Sequence, residues 1–158
     1  MARVGCVCGN ILSNTNCPSE DIIHVYLAEK AEGLLKDDPS LTLWDFYSNH
    51  KDGYDFWYCR ECKRVYVFKI RQAKGGSFIR IAANEAPVSK LDGTWKELYV
   101  FTDVDIDVTT DLDMAYPLKD YLQRERKYRY WYNEAEQLVL AYAGDKLAFA
   151  YKQEWPIP

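Results

Sequence analysis

Long apolar runs are missing from this 158-residue chain, and the longest are far too short to span a bilayer. The start, Met1-Ala2-Arg3-Val4-Gly5-Cys6, has no apolar core of a secretory leader, so the expected location is cytoplasmic. Histidine is scarce. His24 and His50 are the only two, and neither lies in a nucleophile, phosphate-loop or metalloprotease motif, so no enzymatic activity is expected. Positive charge is not in excess: a net charge of −4 argues against a chain whose main work is to grip a phosphate backbone. Repeats, linkers and low-complexity segments are absent as well, and 48 % hydrophobic residues suffice for a core. Residues 1–158 therefore read as a single domain.

Cysteine is present, and its spacing is informative. Four of the five fall into two tight pairs, Cys6-Val7-Cys8-Gly9 and Cys59-Arg60-Glu61-Cys62. Each pair can place two sulfurs on one side of an ion if the backbone turns tightly, so together they predict a tetrahedral zinc site. Four thiolates leave no position for an activated water, which is the arrangement of a structural Zn²⁺. Two features depart from the usual pattern: the first pair encloses one residue rather than two, and Lys63 stands where a knuckle favours glycine. Cys17 is the fifth cysteine. A register using Cys8 and Cys17 would release Cys6, and a site short of one ligand would accept His24 or His50; otherwise Cys17 is a buried or free thiol. An odd cysteine beside two tight pairs fits a reducing compartment better than a disulfide framework.

The spacing of apolar residues and turn formers gives an α+β protein. A helix is expected from Pro18-Ser19-Glu20-Asp21 through Leu35, carrying an imperfect apolar stripe of Ile22, Val25, Tyr26, Glu29 and Leu34 and ended by Asp37-Asp38-Pro39. A second short helix around Leu43 to Tyr47 would be capped by Ser40, although the aromatics there also suit a strand, and a third helix lies at Tyr116 to Leu122, with Pro117 in its first turn. Val65 to Ile70 and Phe78 to Ala82 read as a hairpin, as do Val88 to Leu91 with Trp95 to Phe101 around Asp92-Gly93. Lys127 to Tyr132, Gln137 to Tyr142 and Lys146 to Tyr151 form a meander in which Leu138, Leu140 and Tyr142 answer Leu147, Phe149 and Tyr151 on one face. The architecture so predicted is a zinc ribbon elaborated into an antiparallel β-sheet with one or two covering helices. Its zinc-ribbon part with the helical insertion covers 1–82 and its β-rich part 83–158.

Two charge patterns point to partners. In extended chain, Asp103, Asp105 and Asp107 line one face while Val104, Ile106 and Val108 line the other, so the carboxylates form either a solvated edge strand or a face for a basic partner. A calcium loop is a poor reading there, because Val108 occupies the place of the glycine that its sharp turn needs and no Glu stands at the last ligand position. Around the second cysteine pair, Arg60, Lys63, Arg64, Lys69, Arg71, Lys74 and Arg80 interleave with Tyr58, Tyr66 and Phe68. That pattern fits a single-strand nucleic-acid face as well as the two sides of a half-buried hairpin. The 13 Tyr and 5 Trp suit both β-sheet and protein interfaces.

The Cys6-Val7-Cys8-Gly9-Asn10 start, the helical insertion and the segment Phe56 to Phe68 resemble small bacterial CxCG…CxxC zinc-ribbon proteins, some of which accompany polymorphic or contact-dependent toxins as immunity partners. The resemblance covers mainly residues 1 to 70. It carries over the four zinc cysteines and implies a zinc-containing, non-enzymatic binding protein that neutralises a cognate toxin by steric occlusion. On that reading the carboxylates of Asp103, Asp105 and Asp107 would complement a cationic toxin surface. The alternative is a nucleic-acid-binding zinc ribbon in transcription or RNA metabolism.

Overall fold

The computed structural model describes residues 3–15, 21–49, 54–69, 75–86, 91–102 and 116–155. Cys17, His50, Asp103, Asp105, Asp107, Arg71 and Lys74 lie outside them, as does most of the expected Val88 to Leu91 strand. The chain is α+β, as its patterning predicts, but its sheet is a closed barrel rather than an elaborated ribbon. A two-stranded hairpin, β1 (Arg3–Gly5) and β2 (Ile11–Ser13), precedes eight barrel strands: β3 (Ile22–Leu27), β4 (Tyr54–Tyr58), β5 (Val65–Lys69), β6 (Gly75–Ala82), β7 (Lys96–Thr102), β8 (Arg129–Asn133), β9 (Leu138–Ala143) and β10 (Lys146–Trp155).

β3 to β6 form one antiparallel meander and β7 to β10 another; β3 pairs with β7 and β6 with β10, which closes the ring. Closure leaves none of the eight strands with a free edge. Neither meander can close alone, so the expected boundary at 82/83 falls between two halves of one barrel. Since every pairing is antiparallel, β6 and β7 run in the same direction, and the chain between them must return along the barrel. Its described ends lie on the outside, where Ala86, Leu91 and Trp95 cover Leu138, Leu140 and Ala150.

The predicted helix from Pro18 to Leu35 is corrected to a strand followed by a helix, α1 (Ala28–Asp37). Ile23, Val25 and Leu27 point into the barrel, whereas Ile22, His24 and Tyr26 face outward beneath covering layers. With both faces buried, the period-two alternation disappears and the same residues mimic a helical stripe. The β-branched run Ile22, Ile23 and Val25 then favours the strand. α2 (Leu43–Asn49) is capped by Thr42 rather than Ser40: its hydroxyl accepts the Asp45 N–H at 3.0 Å and donates to the Asp45 carboxylate at 2.8 Å. α3 (Leu118–Leu122) falls within the expected Tyr116 to Leu122 segment but starts later, with Pro117 extended before it rather than in its first turn. The two helices are joined at their starts by Leu43 N–H to Tyr116 C=O and Leu118 N–H to Leu41 C=O, both 2.9 Å.

The last two strands pair as expected, but a bulge between Leu147 and Phe149 corrects the facing. Leu147 joins Leu138, Leu140 and Tyr142 outside, while Phe149 and Tyr151 turn inward. Three outer layers result among the described residues: the β1–β2 hairpin over Trp57 and Tyr66, the helices over Tyr26 and Tyr99, and the segments 83–86 and 91–95 over β9 and β10. The end of the barrel next to Cys59 is filled by Tyr58, Tyr130, Phe149 and Tyr151, with the Arg80 guanidinium stacked 3.7 Å from the Phe149 ring centre. Burial pushes the Tyr130 phenol up to about 12 and raises Tyr151 too, so both stay neutral.

Candidate metal centre

Two tight turns present the four predicted cysteines to each other. In the first, Cys6 N–H bonds Asn10 C=O at 2.8 Å and Gly9 N–H bonds Cys6 C=O at 2.9 Å; in the second, Cys59 N–H bonds Arg64 C=O at 2.9 Å and Lys63 N–H bonds Cys59 C=O at 2.8 Å. The residue after each second cysteine has positive φ, 91° at Gly9 and 60° at Lys63. Lys63 thus adopts the conformation for which glycine is favoured, and its ammonium lies 5.7 Å from the Tyr58 ring centre. No atom lies within 4 Å of a Cβ built on Gly9, so Gly9→Ala is opposed by backbone alone. It should cost about 1–2 kcal/mol, which corresponds to a melting temperature about 2–8 °C lower. Differential scanning calorimetry of the metal-loaded variant is the check.

The sulfurs of Cys6, Cys8, Cys59 and Cys62 all lie within 4.8 Å of one another, with Cys6–Cys62 and Cys6–Cys8 at 3.4 Å and Cys8–Cys59 at 3.6 Å. A disulfide needs about 2.05 Å. A tetrahedron with metal–sulfur bonds of about 2.3 Å has edges of about 3.8 Å, so the donor set fits a single four-coordinate ion. Cys6 and Cys59 are buried, Cys62 is intermediate and Cys8 is exposed. Trp57, Leu12 and Ile22 form the apolar bed beneath.

Other side chains orient the sulfurs. Tyr66 accepts the Val7 N–H at 3.1 Å and hydrogen-bonds Cys6. The Asn10 amide approaches Cys59 Sγ at 3.7 Å, and Arg64 Nη1 approaches Cys62 Sγ at the same distance. Arg64 also forms a two-pronged pair with Glu154 on β10, at 2.7 and 2.9 Å. Asn10 and Arg64 both stand two residues after the second cysteine of their turn. That shared offset was the available signal for them. Burial opposes ionisation of Cys6, yet hydrogen bonds from Tyr66, the Cys8 backbone and the adjoining thiols lower it to about 6. At Cys8 the Asn10 N–H favours the thiolate, but neighbouring Cys6, burial and the other two sulfurs push it up to about 12. Burial likewise raises Cys62, whereas hydrogen bonds lower Cys59 against it. Four thiolates crowd one another, and a cation among them relieves that repulsion.

The remaining candidates fall elsewhere. His24 is on β3 rather than a helix; its Nδ1 lies 2.9 Å from an Asp55 carboxylate oxygen, and its ring meets Tyr47 edge-on at 5.1 Å. Of the basic residues near the second turn, Arg60 pairs with Asp21 at 2.5 Å, Arg64 with Glu154, and Arg80 stacks on Phe149. A second basic group follows α3, with Arg124 over Tyr116 and Tyr121 and Arg126 over Tyr99 and Tyr121.

The molecule is therefore an antiparallel barrel with a four-thiol cluster that can hold a metal ion. Residues 2–89 match the model of a family described as a domain of unknown function, DUF8617, and the chain belongs to that family. The match spans the hairpin, both cysteine turns and the first four barrel strands. No curated protein and no solved structure matches the chain. Among the described residues no helix is long and apolar enough to cross a membrane.

Proposed function

We propose that the protein is a non-catalytic binding protein with a structural Zn²⁺ at Cys6, Cys8, Cys59 and Cys62, and that it neutralises a cognate bacterial toxin by occluding its active surface. The observation carrying this reading is the complete four-sulfur set: soft thiolates at near-tetrahedral spacing suit Zn²⁺ and would leave no coordination position for a substrate. The ion's work is to pin the β1–β2 hairpin against β4 and β5. That hairpin presents Val7 and Ile11, 58 % and 65 % exposed, and α2 presents Trp44, so apolar side chains remain for a partner. The acidic balance of the chain suits a cationic toxin surface.

The experiment is affinity capture of the tagged, zinc-loaded protein from its native cells, with identification of bound protein by mass. A stoichiometric partner that is toxic when expressed alone, and harmless when co-expressed with this chain, is the expected result. An eluate of nucleic acid that is lost at raised salt would replace this reading with the nucleic-acid one.

The contact from Arg64 yields a separate expectation. Its guanidinium offsets thiolate charge and is held in place by Glu154, so Arg64→Gln should weaken zinc retention by about 10- to 100-fold. Competition with a chromogenic chelator measures that ratio.

A further inference from the structure

The barrel is unevenly filled. At the Cys59 end the aromatic rings described above close the interior, but at the opposite end lies a cavity of about 290 Å³. A smaller void of about 50 Å³ continues inward from it, and Val25, Phe56, Phe78, Leu98 and Val139 line both. An eight-stranded barrel is just wide enough for side chains to fill or for one small ligand. Here the space arises from small inward residues: Val67 on β5 is paired with Gly76 on β6, and directly opposed residues share a face, so Gly76 puts no side chain into the interior.

The rim is polar. Among the described residues, Lys30 from α1 and Lys96 from β7 stand there with Tyr54, Tyr132 and Glu134. Burial raises the pKa of the Tyr132 phenol, which donates to Gln137 Oε1 at 3.4 Å. Lys96 is held by Glu29 at 3.3 Å, with both side chains about half or more exposed, and such surface pairs exchange readily. Two ammonium groups and two phenols stand there with two carboxylates, Glu134 and the exposed Glu29, and a ligand carboxylate can take the place of Glu29 at Lys96, above a wall of Val, Leu and Phe.

We propose that this end of the barrel binds one small amphiphilic molecule, its apolar body inside the barrel and its carboxylate head at Lys30 and Lys96. A water's share of liquid volume is about 30 Å³, so the cavity has room for roughly ten non-hydrogen atoms, which is the size of a medium-chain fatty acid. The site is separate from the metal centre: β4 carries Tyr54 at the cavity mouth and Tyr58 at its other end, beside Cys59. It does not depend on the toxin-binding reading.

The test is isothermal titration of the full, zinc-loaded chain with octanoate, octan-1-ol and octylamine below their micellar concentrations. Saturable one-to-one binding is expected for octanoate, weaker binding for the alcohol and none for the amine. Val67→Phe, which fills the cavity from a fully buried wall position, should weaken octanoate at least about tenfold. Lys96→Gln should weaken octanoate about fivefold and leave the alcohol unchanged. Methyl chemical shifts of Val25, Val67 and Leu98 in the unmutated protein supply a readout that does not depend on either variant folding. Failure of all three compounds to bind, or octanoate binding that leaves those methyl signals unmoved, overturns the cavity site. Equal binding of amine and acid overturns the carboxylate assignment.

Discussion

Stripping zinc from the purified protein is expected to lower its melting temperature by about 8–16 °C. With free zinc at about a thousand times its dissociation constant, binding contributes about 4 kcal/mol, and each kcal/mol is worth about 2–4 °C in a chain of this size. Elemental analysis should give one zinc per chain before treatment with a chelator and none after it. The barrel should survive, because its interior and the helix-covered face pack in clusters separate from the one containing Cys6 and Cys59. What should detach is the β1–β2 hairpin. Trp57, buried beneath it with its ring 5.3 Å from that of Phe68, should then shift its fluorescence to the red. Cys59→Ser should reproduce the loss, whereas Cys17→Ser should keep the metal; loss of zinc in the second variant would show that the ligand set includes Cys17. A metal-free protein with the same melting temperature would sink the structural-zinc reading.

The cysteine cluster was legible because its information is local: each pair makes its own turn, and only the joining of the two turns is long-range. The same holds for the Val65 to Ala82 hairpin and for β8 to β10, where turn residues stand between alternating strands. Closure of the barrel was not legible. It rests on Ile23 pairing with Thr102 and Phe149 with Ala82, contacts between distant residues that no periodicity encodes. β3 was misread for a related reason, since burial on both sides removes the alternation that marks a strand. The bulge at Leu147 shifted Phe149 and Tyr151 to the interior, and a single extra residue of that kind leaves no sequence mark without a glycine. The cavity could not be foreseen because it exists only once the ring is closed around Gly76 and Val67. Asn10 and Arg64 were visible as residues, and their role emerged from the sulfurs they approach.

The other large expected effect concerns the helical cover. Phe46 is 1 % exposed, its ring centre lies 4.7 Å from that of Tyr26 on β3, and it packs with Ala31, Leu43, Leu118 and Tyr121. α2 has seven residues, too few to be stable without tertiary contacts, so this ring and Leu43, its two buried side chains, anchor it. Phe46→Ala should cost about 3–5 kcal/mol through lost burial and the cavity left behind, or about 6–20 °C of melting temperature. Trp44→Ala on the same helix, where the side chain is 38 % exposed, should change stability by less than about 1 kcal/mol. The informative comparison is metal content. Because Phe46 and the cysteines belong to separate clusters on different outer faces, the destabilised variant should still bind one zinc with unchanged affinity below its melting transition. If zinc affinity fell in proportion to stability, the helical cover and the metal hairpin would be energetically one unit, coupled through β3, which carries Ile22 under the hairpin and Tyr26 under the helices.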